Sequence, residues 1–175
     1  MLLSLGAWQV ARGLEKQEIL DQYDFNRSLV PVEANKLSNE DMESNYYRTV
    51  SLEGQFMQQS YFLDNRIYRQ KPGYEIFSLF QSDSNNFFLI NRGWSNKKDV
   101  IETEVAKKVR IQGLYTPFKR FGLSLSGEDL VDGWPKIVQE LIFQQAVRDL
   151  SPEYNPLPVV IHLSAGSPGA FEPIW

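Results

Sequence analysis

The sequence contains no cysteine and a single histidine, His162. The first absence excludes disulfides, thiol catalysis and cysteine-based zinc sites, and the second excludes a histidine-rich metal centre. A Ser-His-Asp triad would have to use His162, which lies in a predicted strand, and the sequence has no nucleophile-elbow motif, P-loop or glycine-rich dinucleotide fingerprint. We therefore interpret His162 as a structural or surface residue and predict no catalytic residue and no metal site.

Positive charge is also scarce, because 18 basic residues stand against 22 acidic ones and leave a net charge of −4. A nucleic-acid-binding protein normally carries a basic excess or a dense basic stripe, so we exclude nucleic acid as a partner. The acidic residues lie mostly in predicted loops, such as residues 40–43 and 128–129, which is typical of a solvated face. Catalysis by paired carboxylates stays open, and that alternative predicts a hydrolase.

No stretch of the chain approaches the ~20 consecutive apolar residues that a membrane-spanning helix needs. The chain nevertheless opens on the mostly apolar segment Met1-Leu2-Leu3-Ser4-Leu5, without the charged lead-in or cleavage site of a signal peptide, and stops abruptly at Trp175. We expect both ends to be truncation points of a longer protein; the alternative is a native start with a short apolar helix. The length fits a single domain over residues 1–175.

Helical spacing predicts one helix near each end of the chain. Side chains that share a face recur every three or four residues between residues 5 and 24. A second apolar stripe, with Pro135 suited to a first helical position, predicts a helix over residues 134–148. The polar segment 26–45 is expected to be a loop with one short helical turn.

Between these helices the chain is rich in predicted strands. The strands are expected at residues 47–56, 60–68, 74–81, 87–90, 109–115 and 157–163. Turns are predicted at residues 71–73 and 82–86, and residues 95–108 are charged and loop-like. The predicted fold class is α+β, with an antiparallel, partly barrel-like sheet, an N-terminal helix and a second helix near residues 134–148.

Two of the predicted strands share a pattern. Residues 50–56 and 109–115 both follow Val-x-(Leu or Ile)-x-Gly-x-aromatic. A glycine inside a strand often marks a bulge or a sharp bend, and two bends would help a sheet to close on itself. Coincidence between two alternating strands is the alternative.

Four short motifs follow one another along the first half of the chain. They are Leu-Gly-Ala-Trp-Gln-Val-Ala-Arg at residues 5–12, Asn-Arg at 65–66, Pro-Gly-Tyr at 72–74 and Asn-Arg-Gly-Trp at 91–94. In this order and spacing they resemble the Surfeit-locus family of cytochrome c oxidase assembly proteins, and residues 109–175 match that family more loosely. The residues that we single out as family-motif or possible partner-binding positions are Trp8, Gln9, Arg12, Lys16, Arg48, Asn65, Arg66, Gly73, Tyr74, Asn91, Arg92, Gly93 and Trp94.

The resemblance implies a non-catalytic assembly factor that acts on the large, haem-bearing subunit of the oxidase together with other assembly factors. Family members have two transmembrane helices in the bacterial plasma membrane or the mitochondrial inner membrane, and the soluble domain between them faces the periplasm or the intermembrane space. We therefore expect flanking transmembrane helices outside this chain. A soluble β-rich binding module without any oxidase role is the alternative.

The resemblance also implies a haem a ligand set outside this chain. Bacterial family members are linked to haem a insertion, and the haem-associated histidine of the family belongs to the second membrane helix. His162 lies too early in the sequence to match it. We expect no cofactor bound by this segment, with haem a as a candidate ligand of the full-length protein.

Arg48, Arg66 and Arg92 lie in or at the ends of predicted strands. Guanidinium groups suit carboxylates, including haem propionates, so we predict that at least two of them lie close together near Trp94 at a membrane-facing edge. The alternative is that each pairs with a local carboxylate such as Asp64 and fastens the sheet.

Trp8, Arg12 and Lys16 of the first helix raise a similar choice. One expectation is that the helix packs Trp8 onto the sheet. The other is that Trp8 lies at the lipid headgroup level, with Arg12 and Lys16 in contact with anionic lipid or a partner subunit.

Overall fold

The computed structural model describes residues 2–37, 39–96, 107–123, 133–150 and 153–175. Most of the predicted loop at 95–108 and the acidic pair at 128–129 lie outside these ranges. Within the described ranges, no helix combines the length and the apolarity that crossing a bilayer requires.

The first helix, α1, spans Leu2–Ser28 and confirms the predicted helix at a greater length. It joins the rest of the protein through its last two turns, where the buried Asn26 donates hydrogen bonds of 2.8 Å to the carbonyls of Ser44 and Tyr46. Trp8, far from this anchor, is 54% exposed. The interpretation in which the helix packs Trp8 onto the sheet is therefore wrong, since the anchoring contacts lie some four turns further along α1.

The segment after α1 is more ordered than predicted. It contains a two-residue strand, β1, at Val32–Glu33. Three short 3₁₀ turns follow at Ala34–Lys36, Asn39–Asp41 and Glu43–Asn45. The single helical turn that the sequence predicted is thus three turns, which carry the chain from α1 to the first long strand.

Two predicted strands form one continuous strand, β2, at Thr49–Tyr68. The next strand, β3, spans Lys71–Ser82, and Arg69 and Gln70 turn the chain between them with φ of 47° and 63°. Two residues of positive φ suit a two-residue hairpin loop. The predicted turn at residues 71–73 is therefore wrong, and these residues pair with the end of β2.

The predicted turn at residues 82–86 and the strands that follow are confirmed. The backbone N–H of Ser82 donates to the Asn86 carbonyl at 2.9 Å and closes the turn. The remaining long strands are β4 at Phe87–Ser95, β5 at Lys108–Pro117 and, after several short elements, β9 at Pro156–Leu163.

A second helix is present, but it begins later than predicted. Short strands β6 at Phe121–Gly122, β7 at Lys136–Val138 and β8 at Glu140–Leu141 precede helix α2 at Phe143–Leu150. Val138 and Leu141 are buried and Ile137 is half-buried, yet β7 reaches this position by pairing in parallel with β2. The apolar side chains that predicted a helix thus pack against the core from a short strand instead.

The long strands form a ring, which confirms the predicted barrel-like α+β fold. The order is β2-β3-β4-β9-β5, and β5 pairs back with β2. The sheet is mixed, because β9 runs parallel to β4 and antiparallel to β5. The two strands of the shared pattern are the pair that closes the ring, with Val50 opposite Gly113 and Gly54 opposite Val109.

Apolar side chains bury both faces of this sheet. One face, with Phe56, Phe80 and Ile161 among its residues, forms the larger cluster. The opposite face packs Phe77, Leu89 and Val160 against β7, β8 and α2. Asn91 and His162 follow Leu89 and Val160 by two residues and so lie on this second face.

Candidate functional site

Asn91 lies at the centre of a buried polar network near the end of β4. Its side chain is fully buried, and its amide oxygen accepts the backbone N–H of Gly93 at 3.0 Å. Its amide nitrogen donates to Glu75 Oε1 at 2.7 Å and lies 3.2 Å from His162 Nδ1. The Gly93 contact fixes which end of the amide is the oxygen, so both remaining contacts use N–H donors.

The network sets the protonation of His162. An amide nitrogen only donates, so Nδ1 of His162 must accept and the proton of the neutral ring resides on Nε2. Burial lowers the pKa of His162 to about 4, so the ring is neutral at physiological pH. His162 therefore offers an Nε2–H donor, and its partner at Nδ1 holds that tautomer.

The carboxylate of Glu75 joins the network to Arg66. Glu75 is 5% exposed, and its Oε2 lies 2.9 Å from Nε of Arg66 in an ion pair. The carbonyl of Arg66 in turn accepts the indole N–H of Trp94 at 2.9 Å. The Asn-Arg motif at residues 65–66 and the Asn-Arg-Gly-Trp motif at 91–94 thus meet through one buried carboxylate and one indole.

Arg92 occupies the opposite face of β4 and is buried to 1% exposure. Its guanidinium lies between the rings of Phe56 and Phe171, 4.6 and 4.7 Å from their centroids. Its Nε donates to the carbonyl of Gly169 at 2.7 Å. A planar cation suits this position between two aromatic faces, so Arg92 fastens the C-terminal segment to the sheet.

Gly93 and Trp94 complete that attachment. The backbone of Trp94 exchanges hydrogen bonds with Glu172 at 2.7 and 3.2 Å. Gly93 has φ of 104°, and a Cβ there would lie 2.6 Å from the Glu172 carbonyl. Only glycine accommodates both the backbone conformation and the close approach of the C-terminal segment.

Motif residues of β2 and β3 lie opposite the end of β4, and Gly73 leaves space there for the Trp94 ring. A Cβ on Gly73 would lie 2.7 Å from that ring, so the glycine leaves room for it. The adjacent Tyr74 packs edge-to-face on Phe62 with centroids 5.7 Å apart. Asn65 is exposed at a bulge in β2 with φ of 59°, where its backbone N–H donates to Asp64 at 2.7 Å.

Arg48 lies apart from the network. Its Nη2 donates to the carbonyl of Val30 at 3.0 Å, and its Nη1 donates to Asn45 Oδ1 at 3.1 Å. It thereby ties the segment after α1 to the start of β2.

The three arginines do not converge on a common partner. Arg66 pairs with a carboxylate, though it is Glu75 rather than the expected Asp64. Arg48 binds a carbonyl and an amide, and Arg92 binds a carbonyl and two rings. This arrangement favours fastening roles, and a membrane-facing arginine pair stays a prediction.

The motif residues of α1 form a separate, exposed group. Trp8, Gln9, Arg12 and Lys16 are all exposed, and the guanidinium of Arg12 lies 5.4 Å from the Trp8 ring centroid. Their described contacts are within the helix itself, so the structure leaves them accessible to a partner or a membrane surface.

The carboxylates of a surface cleft beside β1 and β5 each pair with a cation. This cleft is lined by Glu33, Glu53 and Asp83 among others. These three lie 3.0, 3.2 and 2.6 Å from Lys36, Arg110 and Lys108 respectively. The hydrogen bond from Lys36 lowers the pKa of Glu33, which is the opposite of what a general acid needs.

Two residues of the network were not among the predicted site positions. Glu75 follows the Pro-Gly-Tyr motif directly, and that adjacency is the signal that marks it. His162 was interpreted as structural or surface, and its place beside Asn91 depends on the parallel pairing of β4 with β9. That pairing joins strands some 70 residues apart, so only the fold shows it.

Comparison with models of protein families identifies the family of the chain. The model of the SURF1 family matches residues 1–175, the whole chain. No curated protein is significantly similar in sequence.

Proposed function

The chain belongs to the SURF1 family, and from that premise we propose that it is a non-catalytic assembly factor for cytochrome c oxidase. The family is associated with assembly of this oxidase rather than with catalysis. The observation that carries the proposal is the family match over the entire chain. The finer proposal is that the protein assists maturation of the large subunit, including haem a insertion, together with other assembly factors.

The arrangement of the polar groups does not suit a carboxylate-based hydrolase. The motif residues at the end of β4 attach the C-terminal segment, and the carboxylates of the cleft at Glu33 are matched with cations. Neither arrangement supports a carboxylate-based hydrolase, which needs an acid and a base free to exchange protons.

We propose an inner-membrane location, with this domain on the periplasmic or intermembrane-space side and flanking transmembrane helices beyond it. The exposed group on α1 supports this proposal. Trp8 has an amphipathic ring of the kind that favours the membrane interface, and Arg12 and Lys16 suit anionic headgroups. The same residues also suit contact with a partner subunit. A helix that lies at the membrane surface can contact both the lipid and a subunit embedded in the same membrane.

For haem a, the proposal places axial ligation outside this chain. A histidine that binds metal through Nε2 usually donates its Nδ1–H to a neighbour. In His162 the roles are reversed, because Nδ1 accepts from Asn91. His162 therefore does not fit as an axial ligand, which supports a ligand in the flanking membrane segments.

Gene deletion and complementation test the assembly role. We expect deletion to reduce cytochrome c oxidase activity and haem a absorbance in membranes, and the wild-type gene to restore both. Succinate dehydrogenase activity serves as the control and should not change. Normal oxidase activity in the deletion strain would overturn the proposal.

Haem a titration tests where the ligand lies. We expect the membrane-spanning full-length protein to bind haem a, the chain of residues 1–175 to bind it much more weakly, and His162→Gln in the full-length protein to leave the absorbance spectrum unchanged. Equal affinity of the two proteins would place ligation within this chain and contradict the proposal.

A further inference from the structure

A cleft lies between the end of α1 and the β5–β9 part of the ring. Its volume is about 480 Å³, within the range of roughly 300–1,000 Å³ that small-molecule sites occupy. Three aromatic side chains line it, Tyr23, Tyr47 and Trp175. The rings of Tyr23 and Tyr47 lie 5.6 Å apart, and Trp175 lies 5.0 Å from the ring of His162.

One positively charged side chain lines this aromatic cleft. Arg27 lines it, and none of the described lining residues is acidic, although acidic residues outnumber basic ones in the whole chain. The guanidinium of Arg27 lies over the Tyr23 ring at 5.5 Å and donates to the Tyr23 hydroxyl at 2.6 Å. This contact holds the cation at the cleft, and no acidic side chain among the described lining residues neutralises it.

His162 adds a fixed neutral donor to the lining. His162 lines the cleft and its Nδ1 contacts Asn91, so Nε2–H is the donor that the neutral ring retains for a ligand. Asn91 is itself held by Glu75 and Gly93, so the donor is fixed before any ligand binds.

Tyr47 shows that the backbone is strained at this position. Its φ is 68°, a left-handed conformation that non-glycine residues rarely adopt. Its backbone N–H donates to the Tyr115 carbonyl at 2.6 Å, which holds the conformation and keeps the side chain in the cleft wall. Backbone strain of this kind clusters at ligand sites.

We propose that the aromatic cleft binds a small molecule that carries a carboxylate on an aromatic body. The carboxylate accepts from Arg27 and from Nε2–H of His162, and the ring packs among Tyr23, Tyr47 and Trp175. The site uses no metal ligation and is independent of the oxidase role, so either proposal can fail without the other.

The single histidine makes the test direct, because every histidine ring signal in a ¹⁵N spectrum comes from His162. The probe is 1-naphthoate, and its neutral counterpart is 1-naphthalenemethanol. We expect naphthoate to shift the Nε2–H signal in a saturable titration, and the alcohol to bind at least tenfold more weakly.

Arg27→Gln should weaken naphthoate binding at least tenfold, while binding of the alcohol changes little. Arg27 is exposed, so the variant is expected to fold, and circular dichroism checks this. The matched control is Arg110→Gln, an exposed arginine that lines the other cleft. An unmoved Nε2–H signal at millimolar naphthoate, equal affinity for the alcohol, or equal losses in the two arginine variants would overturn the proposal.

Discussion

The end of β4 and the first half of α1 carry motif residues of the same family resemblance in opposite environments. Asn91 and Arg92 are buried to 1% exposure or less, and their contacts join β3, β4, β9 and the C-terminal segment. Trp8 and Arg12 are exposed and contact each other on the helix surface. Residue types alone do not distinguish the two regions, because each combines an arginine with a tryptophan.

The contrast separates residues that maintain the fold from residues that are available to partners. Removing a buried guanidinium leaves a cavity and unpaired hydrogen-bonding partners, which lowers stability. Removing an exposed guanidinium mainly removes contacts with water, which changes stability little. Substitutions at the end of β4 should therefore change stability first, and substitutions on α1 should change oxidase assembly without changing stability.

Arg92→Ala should have the largest effect. It removes a cation between two rings and a hydrogen bond to Gly169, and leaves a cavity, so we expect a loss of about 4 kcal/mol in the free energy of unfolding. Urea unfolding measures this loss. Arg110→Ala, which removes an exposed ion pair with Glu53, is the control and should cost less than about 1 kcal/mol. Similar losses in the two variants would remove the contrast between buried and exposed arginines.

His162 should make stability depend on pH. Its folded pKa of about 4 lies below the ordinary histidine pKa of 6.5, so the unfolded chain binds the proton more readily. The stabilisation is present above pH 6.5 and is lost as the pH falls towards 4, by about 3 kcal/mol in total. Urea unfolding between pH 7.5 and pH 4 measures it.

His162→Gln is the control for that measurement, because other groups titrate in the same pH window. The difference in stability between the two proteins should shrink as the pH falls. A constant difference across the window would show that the ring is not held neutral.

Glu75→Gln should cost about 2 kcal/mol, since the amide keeps the shape of the side chain but leaves Arg66 without its buried counter-charge. Glu53→Gln, in an exposed ion pair, should change stability by less than about 1 kcal/mol. Chemical denaturation of both variants tests this, and equal costs would argue that the buried pair is no stronger than the exposed one.

The double variant Trp8→Ala/Arg12→Ala should have the smallest effect on stability, within about 0.5 kcal/mol, because both side chains are exposed. If α1 meets the membrane or a partner subunit, the same variant in the full-length protein should reduce oxidase activity in membranes. Glu18→Ala/Asp21→Ala, also exposed on α1, is the matched control. Full oxidase activity in the Trp8 variant would limit the functional surface to other regions.

Much of the sheet could be predicted because its signals are local. The apolar run at residues 87–90 is buried in β4, and the shared pattern at 50–56 and 109–115 corresponds to the two strands that close the ring. A strand that is buried on both faces has a continuous apolar run, and a close approach of two backbones requires a glycine. Both signals lie within a few residues of sequence.

Predictions went wrong where the deciding contact is distant. Ile137 and Val138 fit a helical stripe, yet β2 offers a free edge with which they pair in parallel. The turn expected at residues 71–73 lies two residues earlier, because Arg69 and Gln70 adopt left-handed conformations that neither residue type signals. The polar network was missed for a related reason, since Asn91 and His162 meet only after β9 lies beside β4.

The position of β9 also has a consequence for folding. This strand, Pro156–Leu163, inserts between β4 and β5, so the ring cannot close until residues 156–163 have left the ribosome. Such long-range pairing is slow, and the waiting edges of β4 and β5 are prone to aggregation in the meantime. A chain shortened before Leu163 should therefore precipitate during synthesis, even though most of its sheet-forming sequence is present.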